Sequence, residues 1–373
     1  MERRQFYSSL EVARGVAALM VALFHVGQLT YLSEGIAKPL IPRIQEPFTW
    51  SAQIARILGN GPGAVIFFFV LSGFVLTMVL ERSRASIAGT TIRFVTARVF
   101  RIFPAVWCTL GVFYFFFGVF GRSIAPPVEY EPSKLLLNAL LIIKSIDGVM
   151  WSMQLELAAV PLLLAVYFGW RRYGFRVIFW TYVVLLGLSF FGWWSHLVGD
   201  PGQFGQIYAF LAGMTVFLYG RKYVVALKRP WILTAVAIFA FLVTRHIVGW
   251  SSSFTYFFEA TFASSIVALL AFGTRPPENA IWFRALQFVG RVSFSFYLLH
   301  PLAQTFSREI TPLTTIAVQA GISSLVLAYA LLLVSTAAVL PLAWLQYRLV
   351  EVPMIAAGKG LFVSKQQPSE AVA

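Results

Sequence analysis

The stretch RGVAALMVALFH, residues 14–25, sets ten apolar residues between an arginine and a histidine. With its flanks it forms an apolar run long enough for a membrane-spanning helix, and the rest of the chain repeats the pattern. Of 373 residues, 59% are hydrophobic and 12% charged, whereas soluble domains carry about 25% charged residues. The formal charge of +14 sits in short Lys/Arg clusters between apolar runs. That is the layout of cytoplasmic loops and not of a nucleic-acid surface. Cys108 is the only cysteine, so no intrachain disulfide or Cys-rich metal site exists, and no metal is expected. The opening MERRQ imitates a signal peptide, but Arg14 interrupts the apolar region and no small-residue cleavage site follows. It reads as an uncleaved first span.

Hydropathy predicts an all-α, polytopic integral membrane protein with about ten transmembrane helices. The spans lie near 8–30, 63–80, 100–121, 150–168, 176–194, 204–220, 230–248, 254–272, 286–306 and 322–346. Residues 1–353 form one ten-helix domain, and 354–373 form a short, disordered cytoplasmic tail. With the N-terminus inside, twenty Lys and Arg residues fall in inner segments and eight outside, Arg245 among the eight; Arg14 lies within the first span. This asymmetry predicts both termini on the cytoplasmic side of the inner membrane.

Orientation ranks the intramembrane ionisable residues by depth. Along a helix, Arg14 and His25 lie about 16 Å apart, and eleven steps of about 100° return them to one face. Glu11 shares that face and pairs with Arg14 at i, i+3 spacing. Taken singly, Arg14 also suits snorkelling to headgroups, and a lone helical histidine suits a structural hydrogen bond. Glu156 in WSMQLE, Glu259 in FTYFFEATF and His300 in SFSFYLLHPL fall in the same outer half as His25. Carboxylates in a bilayer cost roughly 2.5–3.5 kcal/mol each even on a lenient scale, so their company suggests a polar cavity. His300 has a structural alternative, because Pro301 frees the Tyr297 carbonyl and such kinks recruit polar neighbours. At the inner mouth, RFVTARVFRIFP places Arg98 and Arg101 on one helical face. They suit a phosphate-bearing ligand, or equally an ordinary positive loop or anionic headgroups.

The motifs LEVARGVAALMVALFH, GPGAVIFFFVLSGFVLT, RVFRIFPAVW, WSMQLE, GRVSFSFYLLHPL and RLVEVP occur in this order over most of the chain. Together they resemble the membrane acyltransferase type 3 family, integral membrane O-acyltransferases that commonly transfer acetyl from acetyl-CoA. The resemblance implies His25 as catalytic base or acyl relay and Glu156 as catalytic or positioning carboxylate. It implies Arg14, Arg98 and Arg101 as the acyl-CoA site. Ser72 and Gly73 would shape a helix break beside the site, or serve close helix packing. Glu11, Trp151, Ser152, Tyr297, His300 and Glu259 are secondary candidates. No cofactor is bound permanently; acetyl-CoA or another acyl-CoA is the donor substrate. The acceptor is a hydroxyl of a surface or exported glycan or lipid-linked saccharide, selected by the loops at 31–62 and 122–149. Without the motifs, buried His and Glu residues would equally suit a proton-coupled transporter or flippase.

Overall fold

A computed structural model describes residues 2–30, 54, 57–83, 85–120, 130–191, 204–250, 252–274, 277–309 and 324–362. The fold is all-helical, with no strand among the described residues. The principal helices are α1 (Glu2–Thr30), α2 (Gly61–Glu81), α3 (Ile87–Phe120), α4 (Pro132–Ala139), α5 (Trp151–Tyr173) and α6 (Phe175–Ser189). They continue with α7 (Tyr208–Val224), α8 (Pro230–Val248), α9 (Ser253–Phe272), α10 (Ile281–Arg291), α11 (Ser293–Glu309), α12 (Ser324–Gln346) and α13 (Val352–Gly360).

α2 is apolar all round and occupies the centre, flanked by α7, α1, α9 and α5. Its start is fixed by Asn60, whose side chain accepts from Gly63 N at 3.0 Å, with Pro62 in the first turn. α1 packs on its other side against α10, α11 and α12, and α3 runs along α13 and α11.

Seven helices among the described residues are long and apolar enough to cross a membrane, against the ten spans expected. They lie in α1, α2, α3, α5, α8, α9 and the α12–α13 rod. The remaining three expected spans match shorter helices: α6 and α7 have 15 and 17 residues, and the span expected at 286–306 is divided into α10 and α11 at Val292. At 1.5 Å per residue these fall short of a bilayer core about 30 Å thick. α3 begins thirteen residues before the expected boundary, so Arg98 and Arg101 lie well inside the helix whose face they were expected to share. At the other end, a π-helical turn at Tyr347–Glu351 leads into α13, so helix occupies the start of the expected tail. Residues 31–53, 55–56 and 122–129, within the two loops expected to select the acceptor, lie outside the described residues.

Candidate active site

Two cavities, each with polar or charged side chains in a largely apolar wall, lie side by side in the bundle. The first, about 110 Å³, is lined by Arg14 of α1, Ser72 of α2, Arg98 and Arg101 of α3, Ser152 and Glu156 of α5, and Phe294 and Tyr297 of α11, among others. The second, about 210 Å³, is lined by Phe24 and His25 of α1, Trp151, Gln206, Tyr256 of α9 and Tyr297. Val65 and Tyr297 face both. Arg14 and His25 thus each line a cavity, but not the same one.

The first chamber gathers three arginines and one carboxylate. Arg101 repels both Arg14 and Arg98, while Glu156 attracts both. Arg98 Nε is buried without a hydrogen-bond partner among the described residues. Arg101 lies 5.7 Å from the centre of the Phe294 ring, a contact that keeps its guanidinium at the wall. Glu156 accepts from Ser72 Oγ at 2.7 Å, so this carboxylate belongs to the arginine chamber and does not line that of His25. Glu11 also departs from expectation. Its carboxylate accepts from Gln287 Nε2 of α10 at 2.9 Å.

In the second chamber, His25 sits edge-on to Phe24 and 5.2 Å from the ring of His300. Pro301 has no N–H to offer the Tyr297 carbonyl four residues back, and His300 Nδ1 takes that place, 2.6 Å from the oxygen. A carbonyl only accepts, so Nδ1 carries the hydrogen and Nε2 its lone pair. The structural alternative for His300 is thus realised, in a ring that also touches His25. Tyr297 Oη accepts from Ser152 Oγ at 3.0 Å and donates to the Val149 carbonyl at 3.3 Å, which pins the phenol between the chambers. Trp151 packs edge-on against Phe69 and lines the wall beside it.

Two candidates serve packing. α2 runs unbroken through Ser72 and Gly73, so the expected helix break is absent. A Cβ on Gly73 would run into the Phe210 carbonyl, which makes the residue a contact point for α7. Glu259 lines neither chamber: it pairs with Arg245 Nη2 at 2.8 Å and accepts from Asn60 Nδ2 at 2.9 Å, fully buried. Arg245, placed by sequence in an outer loop, is buried in the last turn of α8, and its Nε donates to Asn60 Oδ1 at 2.9 Å. The trio locks α8 and α9 to the N-cap of α2.

Sequence reading missed one carboxylate, Glu351 at the end of the π-turn, which is 3% exposed and receives a hydrogen bond from Ser295 Oγ. Its signal was the acid in RLVEVP, just past the expected end of the final span. A second omission is Asp147, wholly buried before α5, whose Oδ1 accepts from Val149 N at 3.2 Å while Oδ2 has no partner among the described residues.

The sequence profile described as "Acyltransferase domain" matches residues 7–344, spanning both chambers. The chain belongs to the membrane acyltransferase type 3 family. No curated protein and no solved structure matches it. Membership makes this acyltransferase a multi-pass membrane protein that handles an acyl donor and an acceptor; of its two chambers, one is basic and one bears an imidazole.

Proposed function

We propose that this acyltransferase moves an acetyl group from cytoplasmic acetyl-CoA to a hydroxyl of a surface or exported glycan. One observation carries the reading: a three-arginine chamber and a histidine chamber share the wall formed by Val65 and Tyr297. CoA phosphates suit the forked donors of Arg14, Arg98 and Arg101. The acceptor hydroxyl belongs beside His25, among Phe24, Trp151, Tyr256 and Gln206, which offer flat apolar faces and an amide to a sugar ring.

The thioester is already activated, so the protein supplies proximity, a base and a dry site. The acceptor oxygen bonds to the acyl carbon as the hydroxyl proton passes to His25, the C–S bond breaks, and the sulfur leaves as the CoA thiolate, which takes up that proton to become the thiol and returns the imidazole to its neutral form. Glu156 faces the donor arginines and serves them as a positioning carboxylate. Purified protein with the substitution His25→Ala is expected to lose acetyl transfer by 10²–10⁴-fold, the usual contribution of a general base, while still binding acetyl-CoA. Wild-type transfer by that variant removes His25 from the reaction. Mass spectrometry of host surface glycans with and without the gene identifies the acceptor through loss of an acetyl increment. Absence of any acetyl-CoA turnover favours a transporter.

A further inference from the structure

Of the residues lining the two chambers, Val65 and Tyr297 belong to both, and of this pair Tyr297 alone carries a polar side-chain hydrogen. Its ring packs edge-on against Phe68 and lies 5.7 Å from that of His300, the neighbour of His25. The phenol meets two partners at the start of α5. Ser152 Oγ lies 3.0 Å from Tyr297 Oη and 2.9 Å from the Val149 carbonyl oxygen, and Oη lies 3.3 Å from the same carbonyl. Asp147 Oδ1, accepting from Val149 N at 3.2 Å, fixes this peptide in the 3₁₀ turn Gly148–Met150. The three oxygens form a triangle, and a carbonyl only accepts, so two hydroxyl hydrogens serve three close pairs. When Ser152 gives its hydrogen to Tyr297, the phenol gives its own to the carbonyl. When Ser152 turns to the carbonyl, the shortest contact keeps that oxygen paired and the phenol hydrogen is released from the longest. The triangle therefore spares one hydrogen for a ligand without stripping a buried carbonyl of its hydroxyl partner.

We propose that Tyr297 is a catalytic residue whose hydroxyl donates to the thioester carbonyl oxygen during acyl transfer, with Ser152 the positioning residue that frees its hydrogen. The proposal rests on the acyl-transfer reading above. A donor reaching from the arginine chamber and an acceptor hydroxyl beside His25 bring the acyl carbon to the wall between them, where Tyr297 stands. As the acceptor oxygen bonds to that carbon and its proton passes to His25, the carbonyl π electrons move onto oxygen. Tyr297 hydrogen-bonds this oxyanion and keeps its own proton. Collapse restores the C=O bond, breaks the C–S bond and expels the thiolate, and the phenol hydrogen returns to the Val149 carbonyl. A donor aimed at charge that develops in the transition state acts on turnover more than on binding.

The test uses full-length protein in nanodiscs, acetyl-CoA labelled with carbon-13 at the carbonyl, and extracted host glycan as acceptor. Tyr297→Phe keeps the ring and removes the hydroxyl. It is expected to lower turnover about 10²–10³-fold, as loss of one oxyanion donor does, with acetyl-CoA affinity within about twofold of the unsubstituted protein. Without acceptor, the carbonyl resonance of bound acetyl-CoA is expected downfield of the free value in the unsubstituted protein, and back toward it in Tyr297→Phe. Ser152→Ala ties the phenol hydrogen to Val149 and is expected to show the same pattern with a smaller loss of turnover; it carries the comparison should Tyr297→Phe fail to fold. Undiminished turnover, or a resonance unmoved by the substitution, overturns the proposal. So does a parallel loss of acetyl-CoA affinity, because a phenol that only supports the fold weakens binding and turnover together. Absence of turnover in the unsubstituted protein overturns the acyl-transfer reading itself and is read first. Loss of transfer in His25→Ala beside full transfer in Tyr297→Phe leaves that reading standing and overturns the role of Tyr297 alone.

Discussion

At the scale of single residues, the two histidines have separated roles. His300 is committed through Nδ1 to the carbonyl that Pro301 leaves free, whereas His25 opens into a chamber with room for a ligand. His25 is therefore the base to test and His300 its neighbour. Asp147 provides a pH signature independent of catalysis, since burial pushes its carboxyl up to about 8 from 3.8, against a smaller opposing effect of the Val149 N–H. Between those two values the folded protein holds a proton that the unfolded chain releases. Stability contributed by this site therefore falls as pH rises through that window. Asp147→Asn removes the titration and keeps an acceptor for Val149. Its melting temperature relative to wild type is expected to improve as pH is raised from 6 to 8, as thermal denaturation will show. A difference independent of pH contradicts the assignment.

At the scale of elements, small residues and one ion pair hold the walls of the chambers in register. Gly73 meets the Phe210 carbonyl and Gly213 meets the Val70 carbonyl, so α2 and α7 cross in backbone contact. Gly213→Ala forces that crossing apart and is expected to cost about 1–3 kcal/mol, as overpacking does; a lowered unfolding temperature checks it. In the α8–α9 clamp, Arg245→Leu strands Glu259 and is expected to cost about 3–5 kcal/mol, with much of the loss recovered in Arg245→Leu/Glu259→Leu. Thermal unfolding of the three proteins decides, and equal stability of single and double variants refutes the clamp. Most helices were legible from hydropathy because a bilayer demands long apolar runs, and α8 spans 230–248 in both reading and structure. The division at Val292 was not legible, because the apolar run continues through it while the chain turns from an amphipathic helix into a core helix. The π-turn was equally hidden, since apolar composition does not record a register shift.

At the scale of the molecule, the motif residues were legible and their partition was not. Spacing along one helix gives depth and face, which placed Arg14 and His25 correctly on the cavity side. Depth alone cannot tell which neighbouring helix a side chain meets. Hence Glu156 was expected at the level of His25 but stands with the arginines, and Glu259 was expected in the cavity but belongs to Arg245. The charge asymmetry of the loops predicts that the arginine chamber opens to the cytoplasm. Lys222 is exposed at the end of α7, among the basic residues expected on the inner side. In a Cys108→Ser background, Lys222→Cys is expected to resist an impermeant maleimide in intact cells and to react after permeabilisation; labelling in intact cells reverses the orientation. The central claim is that an acyl group passes from the arginine chamber to a hydroxyl beside His25. Its most direct test is transfer of radiolabelled acetyl from acetyl-CoA to extracted host glycan by purified wild-type and His25→Ala protein. Labelled glycan with wild type, and a loss of at least about 100-fold with His25→Ala at retained acetyl-CoA binding, is the predicted result; equal labelling by both proteins contradicts the account.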